Sequence, residues 1–196
     1  MSIGKETGST LYIRNMVCNR CIKVVEEEFK KLGLNIRNIS LGEVVVDNKL
    51  SEGDVEKIRM VLEENGFELI ENRKMRIIEQ IKILILDLVR DEEKSNQKLT
   101  LSEYLAENLK ADYNYLSTLF SSVENITIEH YLILQKIERA KELLKYGELT
   151  LSEIAYKLGY SSVAHLSAQF KKVTGMNANQ FKSLTENTRK SLDKVK

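Results

Sequence analysis

Two thiols three positions apart, Cys18 and Cys21 in MVCNRC, are the side chains of this 196-residue sequence best equipped for chemistry. They are its only cysteines. If a helix starts here, both sulfurs lie beside its first N–H groups, whose partial positive charge favours thiolate over thiol, and Arg20 between them adds to that field. With no other Cys or His before residue 72, the pair makes a two-coordinate soft site that suits Cu(I) and cannot close a tetrahedral zinc site. Two other readings stay open: a dithiol that cycles with a disulfide, and a fold kept as a dimerisation or scaffold module whose site holds nothing.

A second set of residues lies between Leu149 and Lys182, LTLSEIAYKLGYSSVAHLSAQFKKVTGMNANQFK. Ile154, Ala155 and Leu158 put apolar groups on one face of a short helix that stops at Gly159. Ser161 or Ser162 can cap a following helix in which Leu166 and Phe170 form the buried stripe. That helix exposes Val163, Ala164, His165, Ser167, Ala168 and Gln169 and carries Lys171 and Lys172, a face suited to a DNA major groove flanked by phosphates. An ordinary helical hairpin has the same core pattern. The run IAYKLGYSSVAHLSAQFKKVTG, with its Ile-Ala pair, Gly-aromatic turn, Phe-Lys-Lys and closing Gly, resembles the second helix-turn-helix of AraC-type transcriptional regulators. Where that family usually has proline after the closing glycine, this chain has Ala178, so the start of the last helix is expected to be less rigidly fixed.

The stretch is a repeat. LTLSEYLAENLKADYNYLSTLF starts at Leu99 and LTLSEIAYKLGYSSVAHLSAQF at Leu149, 50 residues later. Leu116, Ser117 and Phe120 align with Leu166, Ser167 and Phe170, Asp112 takes the capping position, and Leu105-Ala106 is matched to Ile154-Ala155 with one residue fewer in the turn. The AraC resemblance implies two such units, at about 99–120 and 149–172, joined by a linker helix at about 126–146 that spaces two recognition helices about 34 Å apart along one face of the duplex. It further implies that Asn114, Ser117 and Thr118 face the bases from the first unit, with Tyr113 and Tyr115 near the backbone. From the second unit the base-facing residues are Val163, Ala164, His165, Ser167 and Ala168. Neither set contains arginine, so readout leans on Asn114 to adenine, His165, and contacts to thymine methyls. Ser121 and Ser122 stand where the family has lysine, which makes the second unit the stronger of the two.

Before residue 72, Leu11 and Ile13, Val44 and Val46, and Phe67 and Leu69 alternate as strands do. Ile22, Val25, Phe29 and Leu32 recur at helical spacing before Gly33, as do Val55, Ile58 and Leu62 before Gly66. The order reads β-α-β-β-α-β, a ferredoxin-like arrangement. On that pattern MVCNRC resembles the Met-x-Cys-x-x-Cys of heavy-metal-associated domains in copper chaperones and metal-transport ATPases. The resemblance implies that Cys18 and Cys21 bind Cu(I) or another soft ion, that Met16 is a buried tether, and that Phe67 shields the loop. Asn15 replaces the usual glycine before the methionine, and neutral Val17 argues against a third, carboxylate ligand. The thioredoxin type of dithiol relies on a cis-proline, and this sequence has no proline.

The expected fold class is therefore α+β: a ferredoxin-like domain over residues 1–72 and an all-α double helix-turn-helix domain over 73–196. Residues 1–72 carry 10 basic and 13 acidic side chains and residues 73–196 carry 20 and 16, a mild excess of positive charge in the half expected to meet nucleic acid. From Arg73 to about Asp91 a broad apolar helix is expected, with Ile77, Ile81, Leu84 and Leu88 as its stripe and Ile78, Ile85 and Val89 widening it. DEEKSNQK, residues 91–98, reads as a polar loop, and the Lys-rich tail after Phe181 as solvated. No apolar run is long enough for a bilayer and the first residues lack a secretory core, so a cytoplasmic protein is expected. No phosphate loop or nucleophile-base pair argues for an enzyme. The partners expected are double-stranded DNA, a second copy of the chain and RNA polymerase. Metal at the thiols is expected to change DNA affinity; a metal-trafficking protein with a C-terminal docking module is the rival from another class.

Overall fold

The structure, a computed structural model, describes residues 8–47, 49–92 and 99–187. Its contacts divide the chain into two compact units, Met1–Ile83 and Leu84–Lys196.

The first unit runs β1 (Ser9–Arg14), α1 (Asn19–Lys31), β2 (Ile36–Ser40), β3 (Glu43–Val46), α2 (Glu52–Glu64), β4 (Glu68–Ile70), and then the first residues of α3 (Arg73–Arg90). The sheet order is β2-β3-β1-β4, with each neighbouring pair antiparallel. Leu11 pairs with Val44 and Ile13 with Leu69, and because side chains alternate across a strand, this register puts Leu11, Ile13, Val44, Val46 and Leu69 into one core. Val25 and Phe29 of α1 and Ile58 and Leu62 of α2 fill its other side. Ser51 and Asp54 cap α2 reciprocally, each side chain bonding the other's backbone N–H. β2 is irregular: its pairing with β3 shifts between Ile36 and Asn38, which leaves Ile36 and Ile39 both turned toward the core.

The buried stripe of α3 differs from the expected one. Ile78, Ile81, Ile85 and Val89 are buried, whereas Ile77, Leu84 and Leu88 are only partly covered. The apolar band is wide enough to accommodate either stripe, and composition alone does not say which edge faces the core.

The second unit is helical among its described residues: α4 (Leu101–Leu109), α5 (Tyr113–Glu124), α6 (Ile128–Tyr146), α7 (Leu151–Lys157), α8 (Val163–Thr174) and α9 (Ala178–Asn187). Buried Leu116, Leu119 and Phe120 of α5 and Leu166 and Phe170 of α8 set one face of each helix inward. Phe120 meets Tyr131 and Phe170 meets Phe181 edge-on, each at 5.6 Å. The expected polar loop falls mostly on residues 93–98, outside the described residues, as does the tail beyond Asn187.

Candidate nucleic-acid interface and dithiol loop

The two helical pairs start identically. Thr100 accepts the Glu103 N–H and Glu103 accepts the Thr100 N–H at 2.8 Å; Thr150 and Glu153 repeat the box, with the latter bond at 2.7 Å. Hydrogen bonds from the threonine backbone hold both glutamate carboxyls below their ordinary pKa. The shift of 50 residues holds through this helix too, so Tyr104-Leu105, both buried, correspond to Ile154-Ala155, and the one-residue offset expected for the first turn is corrected. The turns themselves differ. α4 runs two residues further and closes on Lys110 in the left-handed region (φ 49°), while the second turn passes through Gly159 at φ 64°.

The second helices are capped at matching positions. Asp112 accepts the Tyr115 N–H at 3.1 Å, and Ser162, rather than Ser161, accepts the His165 N–H at 3.1 Å. With the apolar face buried, Asn114 and Thr118 lie exposed on α5 with Ser117 partly covered beside them. On α8, Ala164, His165 and Ala168 are exposed and Val163 and Ser167 partly so; Lys171 and Lys172 project from the last turn. Positions 164, 168 and 171 or 172 recur at three- and four-residue spacing, which aligns the apolar and basic groups along one ridge.

Several contacts fix which groups on these faces remain available. Tyr160 donates its hydroxyl hydrogen to Gln169 Oε1 at 2.9 Å, so the one amide on α8 that reached toward solvent is engaged within the fold. The same ring meets His165 edge-on at 5.3 Å and carries Lys136 Nζ over its face at 5.2 Å. Burial lowers the Lys136 pKa and raises that of Tyr160. Ser161 Oγ lies 3.3 Å from His165 Nδ1, leaving Nε2 as the outward ring nitrogen. On the first unit, Tyr113 donates to the Glu129 carboxylate; burial and that bond push the phenol well above its usual pKa, and the bond lowers Glu129. Ser122 donates to its own helix at Leu119 O, 2.7 Å. Tyr115 stands 48% exposed where the second unit has His165.

The expected looseness at Ala178 is not what the structure has. Asn177 accepts the Gln180 N–H at 2.8 Å and donates its own N–H to Gln180 Oε1 at 2.9 Å, so a reciprocal cap fixes the start of α9 in place of proline.

In the first unit, Cys18 is the N-cap of α1 and Cys21 sits in its first turn. Their sulfurs are 3.1 Å apart, well beyond a disulfide of about 2.05 Å, and both side chains are partly exposed. Met16 is fully buried and Phe67 is 8% exposed; both belong to the core beneath the loop. Asn15, at φ 68°, opens the loop. Among the described residues no third His, Cys, Asp or Glu gathers with the two thiols, so the donor set fits a two-coordinate soft ion and not a tetrahedral one. No helix among the described residues is long and apolar enough to cross a membrane.

Comparison with known proteins places the helical unit. A family model described as "Helix-turn-helix domain" matches residues 105–183. The melibiose operon regulatory protein of Escherichia coli K12 is 27% identical over 99 residues, 50% of this chain and 32% of that one. The Msm operon regulatory protein of Streptococcus mutans is 26% identical over 83 residues, 42% and 30% of the two chains. Among solved structures, the C-terminal domain of AraT, a response regulator from Geobacillus stearothermophilus, superposes with a TM-score of 0.51 at 29% identity, covering 64% of this chain and 95% of that one. Residues 105–183 thus match a helix-turn-helix domain, within a segment similar to these regulators. The chain spans about a third of the length of these two curated relatives, and their matches cover half of it or less.

Proposed function

We propose that this chain is a sequence-specific, cytoplasmic DNA-binding transcriptional regulator of AraC type in which α5 and α8 are the recognition helices. The observation that carries the reading is the repeated scaffold: two capped helices, 50 residues apart in sequence, each bury one face and leave the other open, within a segment related to operon regulators. On α8, His165 offers a polar ring atom, Ala164 and Ala168 offer apolar contact for thymine methyls, and Lys171 and Lys172 meet phosphate. On α5, Asn114 pairs with adenine and Ser117 and Thr118 flank it.

The first unit belongs to the same reading as a ferredoxin-like, heavy-metal-associated-type domain, supported by its element order, strand order and cysteine placement. Cys18 and Cys21 hold Cu(I) or a related soft ion, while Met16 anchors the loop from below and Phe67 covers it. Such an ion supplies a tie between the two thiolates, or between those of two copies of the chain. Its effect on DNA binding equals its difference in affinity for the DNA-bound and free states, and no more.

The test is binding of the purified, reduced chain to fragments of its own and neighbouring upstream regions, at one salt concentration because phosphate contacts make affinity steeply salt-dependent. A specific fragment is expected to bind about a thousandfold more tightly than random DNA. Cu(I) is expected to shift that affinity in the wild type and not in Cys18→Ser, Cys21→Ser. A panel in which no fragment outcompetes random DNA contradicts the regulator reading; specific binding that ignores Cu(I) contradicts the metal-response part alone.

A further inference from the structure

The thiol loop is held by a residue outside the β-α-β-β-α-β unit. Glu79, on α3, is 6% exposed, and its Oε1 accepts the Asn15 N–H at 3.1 Å. It is the buried charged side chain of the described residues. A carboxylate is costly to bury unless hydrogen-bonded, so its position beneath this loop needs a reason.

Asn15 supplies one. Its φ of 68° lies in the left-handed region, which asparagine tolerates better than other side chains but which its surroundings still have to hold. Three bonds hold it: the N–H to Glu79, the Nδ2 to Gly66 O at 3.2 Å, and a long contact from Cys21 Sγ to its carbonyl at 3.9 Å. The amide tether reaches the residue before Phe67, and the carbonyl reaches a thiol. Asn15 thereby joins three parts of the dithiol site, and Glu79 fixes Asn15 from below.

We propose that Glu79 is the positioning residue of the dithiol loop: it clamps the Asn15 backbone, and so sets the presentation of Cys18 and Cys21 to a soft ion or an electrophile. The metal half of this inference rests on the proposed soft-metal site; the thiol half does not. Two readouts on the full-length chain separate them, the rate of thiol modification by a small aromatic disulfide and Cu(I) affinity by competition with a chromogenic chelator.

Glu79→Ala is expected to raise the modification rate about tenfold and lower Cu(I) affinity about tenfold, the lower range for losing a group that orients a metal ligand. Glu79→Gln keeps an acceptor oxygen for the Asn15 N–H and is expected to stay within about threefold of wild type in both. Should the alanine variant not fold, amide exchange of the wild type decides: the Asn15 N–H is expected to be strongly protected although the residue's side chain is exposed. Wild-type-like thiol rates in Glu79→Ala, a glutamine variant as altered as the alanine one, or prompt exchange at Asn15 overturns the clamp. A wild type that binds no Cu(I) overturns the metal reading instead, and the thiol rates still decide the clamp.

Discussion

The two helix-turn-helix copies share their scaffold and differ on their outward faces. Thr100 and Thr150, Glu103 and Glu153, Asp112 and Ser162, Leu116 and Leu166, and Phe120 and Phe170 occupy equivalent positions and make equivalent caps or core contacts. Outside the scaffold, Asn114 stands against Ala164, Tyr115 against His165, Thr118 against Ala168, and Ser121-Ser122 against Lys171-Lys172. Positions that build the helix pair are fixed by packing and capping, whereas positions that meet a partner are free to specify one. The second copy carries the basic pair, and the first uses Ser122 to bond its own backbone and Tyr113 to hold a carboxylate. The two copies should therefore contribute unequally to DNA affinity.

The largest predicted effect breaks that inequality open. Ala168→Glu places a negative charge on the exposed ridge of α8 and is expected to weaken specific binding about a hundredfold, while Thr118→Glu at the matching place on α5 costs about tenfold, with unchanged melting in both. Equal losses in an affinity titration would end the claim of unequal copies. A smaller effect sharpens the electrostatic part. Lys171→Ala, Lys172→Ala should reduce the slope of log affinity against log salt by nearly two, at about 0.9 per phosphate contact, whereas Ser121→Ala, Ser122→Ala leaves the slope as it was.

The smallest effects test what the copies share. Thr100→Ala and Thr150→Ala each remove the side-chain half of one capping box and should each cost about 1 kcal/mol of stability in urea unfolding, with no difference between them. The caps also carry a pH dependence whose sign is set by their carboxylates. Glu103 and Glu153 have lowered pKa values in the fold, so their contribution is complete above the ordinary glutamate value and is lost as pH falls toward the folded one. Wild-type stability should therefore decline on acidification below about pH 4.5, and the doubly substituted chain should decline less.

Where the sequence was legible and where it was not follows the same division. Local signals show through: glycine and serine punctuation around Gly159 and Ser162, three- and four-residue spacing in α8, and alternation in β1 and β3 each arise from neighbours in sequence. β2 was the strand with no alternation to mark it, because its bulge turns Ile36 and Ile39 the same way. The buried edge of α3 was misjudged because an apolar band that wide has no unique inward face. Ala178 looked like a loosened helix start until Gln180 proved to be its cap. The contacts of Glu79 with Asn15 and of Tyr160 with Gln169 join residues by tertiary packing, and no spacing rule announces them.

The central claim is that both copies engage one DNA molecule, and hydroxyl-radical footprinting of the full chain on a specific fragment tests it most directly. Two protected segments about 10 base pairs apart on one face of the duplex are predicted, with the segment bound by α8 the more strongly protected and the other lost first on raising salt. A single protected segment, or two that vanish together at the same salt, would contradict the account.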